Sequence, residues 1–138
     1  MGTIEEIMQR NVVTLSPTMS IRQAASLLAD HQIGGAPVCD AGGRIVGMLS
    51  KSDLTDYFDS SRSRSVEEAM TPAVLSVRPY DSVERAIHVM AFEGVHRLVV
   101  LDPLGALVGI VSSLDLLRHV AGMPLRDTRV VAVAPPET

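Results

Sequence analysis

Two stretches decide the fold: Gly47-Met48-Leu49-Ser50-Lys51-Ser52-Asp53-Leu54 and Gly109-Ile110-Val111-Ser112-Ser113-Leu114-Asp115-Leu116. Each leaves an apolar β-type run through a serine and enters a helix-type run, with an aspartate three residues after the serine. They lie 62 positions apart, and that offset reaches far beyond them. It aligns residues 4–55 with 66–117 without a gap. Sixteen pairs are identical, among them Glu6/Glu68, Met8/Met70, Pro17/Pro79, Ser20/Ser82, Asp40/Asp102, Gly43/Gly105, Gly47/Gly109 and Asp53/Asp115. Turn residues, core residues and charges are kept together, which identifies a tandem duplication.

Both copies read alike. Thr3-x-x-Glu6 and Ser65-x-x-Glu68 are capping boxes that open a short helical turn. Residues 12–15 and 74–77 are β-branched runs, each closed by a proline, and predict short strands. Ser20 and Ser82 then cap helices whose apolar residues Ile21, Ala24, Ala25, Leu28 and Val83, Ala86, Ile87, Met90 recur at i, i+3, i+4, i+7. Runs 36–39 and 44–49 flank the turn Asp40-Ala41-Gly42-Gly43. Their counterparts 98–101 and 106–111 flank Asp102-Pro103-Leu104-Gly105, so each copy predicts a hairpin. Ser50 and Ser112 open a second helix. The fold class is therefore α/β (α+β), with each repeat strand-helix-strand-strand-helix.

The boundaries are repeat 1 at 1–59, a polar linker at 60–64, repeat 2 at 65–121 and a tail at 122–138, with one strand expected in the tail near 130–133. A unit of about 60 residues buries only ~60% of its chain surface, against ~68–70% near 150 residues. The copies are thus expected to pair about a pseudo-twofold axis, packed sheet to sheet.

The 138-residue composition sets limits on function. Hydrophobic residues make up 46% but aromatics only 3%, so Val, Ile, Leu, Ala and Met must build the core. Net charge is −4, and Lys51 is the only lysine. Nucleic-acid binders usually carry a basic face with stacking aromatics, so no nucleic acid is expected. No apolar stretch approaches the ~18 residues of a membrane span, and Glu5, Glu6 and Arg10 break any signal-peptide pattern. One cysteine, Cys39, fits a reducing compartment and a cytoplasmic location, and it reads as a small buried hydrophobe.

Catalysis is not expected. His31, His88, His96 and His119 have no cysteine or carboxylate partners at metal-ligand spacing, and no P-loop or Gly-x-Gly-x-x-Gly occurs. An enzyme built on His96 and Asp115 would lack a second base and a nucleophile. What stands out is the repeated constellation. Ile33-Gly34-Gly35-Ala36-Pro37-Val38 precedes Ser50-x-x-Asp53, and Val95-His96-Arg97-Leu98-Val99-Val100 precedes Ser112-x-x-Asp115. Ser-x-x-Asp is locally a capping box. The same geometry offers a helix N-terminus to a phosphate and a carboxylate to a vicinal diol, and both roles can coexist.

Across residues 4–117 these motifs resemble a tandem pair of cystathionine-β-synthase (CBS) domains, a Bateman module. The resemblance rests on Met8 with Val12-Val13-Thr14-Leu15-Ser16-Pro17, on Gly35-Ala36-Pro37-Val38-Cys39-Asp40, on Gly47-Met48-Leu49-Ser50 with Asp53-Leu54, and on their second-copy echoes. It implies a regulatory module that binds an adenosine-containing small molecule of the AMP, ADP or ATP class in a cleft between repeats, and no cofactor or metal. Asp53 and Asp115 would hold ribose hydroxyls, with Ser50 and Ser112 nearby. Ile33, Gly35, Ala36, Pro37 and Val95, His96, Arg97, Leu98 would line the adenine, and Thr14 and Ser76 would add polar contacts. His96 and Arg97 stand where the first copy has Gly34-Gly35 and could meet a phosphate. Val99 replaces Pro37, which alters that side. The family further implies a homodimer, with contact surfaces around residues 54–58 and 116–120, and an effector protein on another chain. The alternative is a dimerising scaffold that binds no ligand.

Overall fold

A computed structural model describes residues 2–58 and 64–125. The capping boxes form where the sequence places them. At α1 (Ile4–Ile7) Glu6 Oε1 accepts from the Thr3 N–H at 2.9 Å, and at α4 (Val66–Ala69) Ser65 and Glu68 bond each other's main-chain N–H reciprocally, at 2.9 and 3.4 Å. Ser20 caps α2 (Ile21–Asp30) and Ser82 caps α5 (Val83–Glu93), each accepting from the backbone N–H three residues on.

The hairpins are β1 (Gly35–Cys39) with β2 (Ile45–Ser50), and β4 (Arg97–Leu101) with β5 (Leu107–Ser112), both antiparallel. Asp40 Oδ1 accepts from the N–H groups of Gly42 and Arg44, and Asp102 Oδ1 from those of Leu104 and Ala106. Gly43 and Gly105 close these turns at φ of 83° and 86°, a region that side chains with a Cβ rarely adopt. The last helices are α3 (Lys51–Phe58) and α6 (Ser113–Val120).

The strands expected at 12–15 and 74–77 are shorter than the sequence suggests. In the second copy β3 (Ser76–Val77) lies parallel to β4. In the first copy only a single bridge between Leu15 and Val38 remains. The cause is Pro37. Val99 donates its N–H to the Leu75 carbonyl at 3.2 Å, whereas Pro37, at the matching position, has no N–H to give.

The helices and hairpins gather into two compact units, one of residues 2–12 and 75–125 and one of 13–58 and 64–74. These divide the chain differently from the repeats. Ile4, Ile7 and Met8 of α1 and its exit lie in a core with Val77, Val83, Ala86, Met90, Leu98, Val100, Val111 and Leu116. Val66 and Ala69 of α4 lie in the other, with Leu15, Ile21, Ala24, Leu28, Ala36, Val38, Leu49 and Leu54. Each unit is thus closed by the opening turn of the other repeat. Main-chain bonds fix this exchange: Ile4 N–H reaches the Asp81 carbonyl at 2.8 Å, and Val66 N–H reaches Met19 at 2.8 Å.

The identical glycines of the opening motif follow from that exchange. A Cβ on Gly47 would stand 2.5 Å from Met70 Sδ and 2.9 Å from the Thr71 carbonyl oxygen. On Gly109 it would stand 2.6 Å from Met8 Sδ and 3.1 Å from the Gln9 carbonyl oxygen. The segment leaving each short helix runs against the hairpin at this point, bridging Thr71 to Met48 and Gln9 to Ile110.

Cys39 sits at the end of β1 and is half-buried rather than enclosed. Burial raises its thiol pKa, and the Asp40 charge adds to the effect. The linker residues 60–63 and the tail strand expected near 130–133 lie outside the described residues. Among the described residues no helix is long and apolar enough to cross a membrane, and no group of His, Cys, Asp or Glu is placed to hold a metal ion.

Candidate functional site

The site is built where β2 passes into α3 and β5 into α6. Ser112 accepts from the Asp115 N–H at 3.1 Å, while Asp115 Oδ2 accepts from the Ser112 N–H at 2.8 Å and its hydroxyl at 3.0 Å. Asp53 Oδ2 takes the same two donors from Ser50, at 2.9 and 3.0 Å, and the Ser50 hydroxyl also pairs with Ser52 at 2.9 Å. One carboxylate oxygen of each aspartate therefore closes the helix turn, and the other takes no part in the cap.

That second oxygen differs between the copies. Asp115 is only 5% exposed, and its Oδ1 accepts from Gln9 Nε2 at 3.2 Å. Asp53 is half-buried, and no hydrogen bond from a described residue reaches its Oδ1. Thr71 holds the position matching Gln9 at the 62-residue offset and is too short to repeat the contact. Gln9 is absent from the residues singled out in the sequence. Its only signal there was a polar residue of unequal length at matched positions beside the paired methionines.

The helix N-termini are less open than the sequence suggests. The first N–H of α3, from Lys51, is taken by the Gly34 carbonyl at 2.9 Å, and that of α6, from Ser113, by the His96 carbonyl at 2.9 Å. In α6 the Asp115 N–H is also taken, by Ser112. Fewer donors are therefore left at these helix starts. Lys51 and His96 are exposed and Arg97 is half-buried.

The adenine-lining candidates divide by sheet face. Ala36 and Leu98 point into the helix-covered cores, so toward a ligand they offer main-chain groups. Gly35, Pro37, Arg97 and Val99 alternate onto the opposite face, and Pro37 and Val99 are fully buried there. Ile33 and Val95 pack beside the cores at the strand starts. Thr14 and Ser76 are exposed, and Ser76 opens β3 in register with Val99.

An apolar groove of about 540 Å³ runs between α5 and α6, lined by Ile87, Met90, Leu116 and Leu117 and also by the candidates Val95 and His96. Leu117 and Val120 are exposed along it.

The family model for the CBS domain matches residues 4–60 and 66–122. The CBS domain-containing protein YhcV of Bacillus subtilis is 34% identical over 119 residues, 84% of either chain. Uncharacterized protein MJ1232 of Methanocaldococcus jannaschii is 31% identical over 113 residues, 82% of this chain and 38% of that one. The inosine-5'-monophosphate dehydrogenase of Korarchaeum cryptofilum is 32% identical over 112 residues, 81% of this chain. This chain spans only 38% and 23% of the length of those last two. Among solved structures, the CBS domain pair of protein MJ0100 in complex with 5'-methylthioadenosine and S-adenosyl-L-methionine has a TM-score of 0.81 and 27% identity, covering 87% of this chain and 96% of its own. CBSX2 in complex with AMP has a TM-score of 0.75 and 26% identity, covering 88% and 98%.

Proposed function

The chain belongs to the CBS domain family as a tandem pair, and from that premise we propose that it is a non-catalytic regulatory module that binds an adenosine-containing ligand. The observation that carries this reading is the division of labour at each aspartate. Oδ2 caps the helix in both copies and leaves Oδ1 over: at Asp115 it takes a donor from outside the cap, as a ribose hydroxyl would donate, and at Asp53 it accepts from no described residue. The Gln9 amide on Asp115 fills such a donor position. The relatives that bind S-adenosyl-L-methionine, 5'-methylthioadenosine and AMP add support. Lys51 and His96 would meet a phosphate, and the scarcity of aromatics leaves the base to aliphatic side chains and main-chain groups.

Regulation would work by linkage. A ligand shifts the pair toward whichever state binds it better, by no more than its differential affinity, and an effector protein reads that state in the cytoplasm. The groove between α5 and α6 would take a second copy of the chain, and Leu117→Glu would then convert a dimer to a monomer in sedimentation.

Thermal unfolding with AMP, ADP, ATP and S-adenosylmethionine in turn tests the reading. A ligand at ~100 times its Kd adds about 2.7 kcal/mol, several degrees at this size. A shift abolished by Asp53→Asn or Asp115→Asn supports it. If none of the four moves the midpoint, the ligand-free scaffold is the better reading, and the exposed apolar groove is the observation that favours it.

A further inference from the structure

We propose that Gln9 makes the two aspartate sites unequal: by holding Oδ1 of Asp115 it reserves that site, so an adenosine ligand loads at Asp53 first and at Asp115 only after the carboxamide is displaced. This rests on the adenosine reading above and extends it to order and selectivity.

The asymmetry is in the contacts. Both carboxylates spend Oδ2 on their serine, so a vicinal diol must use Oδ1. At Asp115 that oxygen is bonded to Gln9 Nε2 at 3.2 Å and the residue is almost fully enclosed. At Asp53 the matching position holds Thr71, and the half-buried carboxylate takes no hydrogen bond at Oδ1 from a described residue. Gln9 is held in place by its own main chain, which exchanges both hydrogen bonds with Ile110, at 2.8 and 3.0 Å. The close approach that Gly109 permits sets that distance. A ligand entering at Asp115 must therefore break a hydrogen bond to a charged group before making its own, whereas at Asp53 it does not. A bond of this kind corresponds to roughly tenfold or more in affinity.

The test is calorimetric titration of the full chain with AMP and, separately, with S-adenosylmethionine. Wild type is expected to bind one ligand per chain tightly and a second at least about tenfold more weakly. Asp53→Asn should remove the tight event and Asp115→Asn only the weak one, since asparagine keeps an oxygen for the cap. Gln9→Thr should tighten the weak event about tenfold, and Thr71→Gln should weaken the tight one. Both exchanges leave the main-chain bridges to Ile110 and Met48 in place, which retained hydrogen-exchange protection of amides 9, 110, 71 and 48 would verify. Loss of the tight event in Asp115→Asn, or a weak event that Gln9→Thr leaves unmoved or weakens, overturns the lock while leaving the adenosine reading intact. Absence of binding by either ligand in every variant overturns both.

Discussion

Leu15 donates its N–H to the Pro37 carbonyl at 3.0 Å, and Pro37 has no N–H with which to extend the pairing. The same pair of positions in the second copy, Val77 and Val99, belongs to a parallel ladder in which Val99 does donate. One residue type thus turns a strand into a single bridge, though the run before it holds three β-branched residues in the first copy and two in the second.

Pro37→Val should restore that ladder. The new amide would face the carbonyl of residue 13, as Val99 faces Leu75. Hydrogen exchange should find amide 37 protected, comparably to amide 99. Net stability should stay within about 1 kcal/mol, because a hydrogen bond worth ~1 kcal/mol is offset by the greater freedom of the unfolded chain without proline.

Gly47→Ala and Gly109→Ala should both destabilise, by about 1–3 kcal/mol as overpacked sites do. Gly47 should suffer more. Its added methyl meets a carbonyl oxygen at 2.9 Å as well as Met70, whereas at Gly109 the nearest main-chain atom is at 3.1 Å and the flexible end of Met8 can give way. Urea midpoints of the two variants measured side by side would check the order.

Ile4→Ala should cost about 2–5 kcal/mol, since Ile4 is fully buried. The informative readout is where the damage falls. Although Ile4 begins the first repeat, its neighbours in the core are Val83, Met90 and Leu116. Amide shifts should therefore change across 75–120 rather than across 21–50, and Val66→Ala should produce the opposite pattern.

Cys39 should alkylate slowly at pH 8. Burial and then the Asp40 charge raise its pKa, which lowers the thiolate fraction at that pH. The folded state holds this proton more tightly than the unfolded chain, so the contribution to stability is complete below the unfolded pKa and declines as pH rises through the folded one. Iodoacetamide labelling in buffer and in urea should show the faster rate in urea.

Much of the molecule was legible in advance because it depends on neighbours in the chain. A serine three residues before a glutamate, an aspartate before a glycine turn, and apolar residues at helical spacing act over a few positions, and all formed as read. Pro37 was also visible, and its missing donor is a property of the residue alone, yet its effect appears only once Val99 is seen bonding to Leu75. Ala36 and Leu98 show the converse. As strand residues they could have faced either side, and only the packed cores assign them to the helix-covered one.

From sequence alone followed the duplication, the α+β class and the serine–aspartate pairs, because repetition at a fixed offset and local hydrogen-bonding chemistry are written in residue order. The tertiary structure decided which repeat closes which core, and that Gln9 lies on Asp115, 106 residues away along the chain. No short-range preference connects those two residues. Their contact exists because the first helical turn is buried in the second repeat's core, and that burial is favoured by apolar area wherever in the chain it comes from.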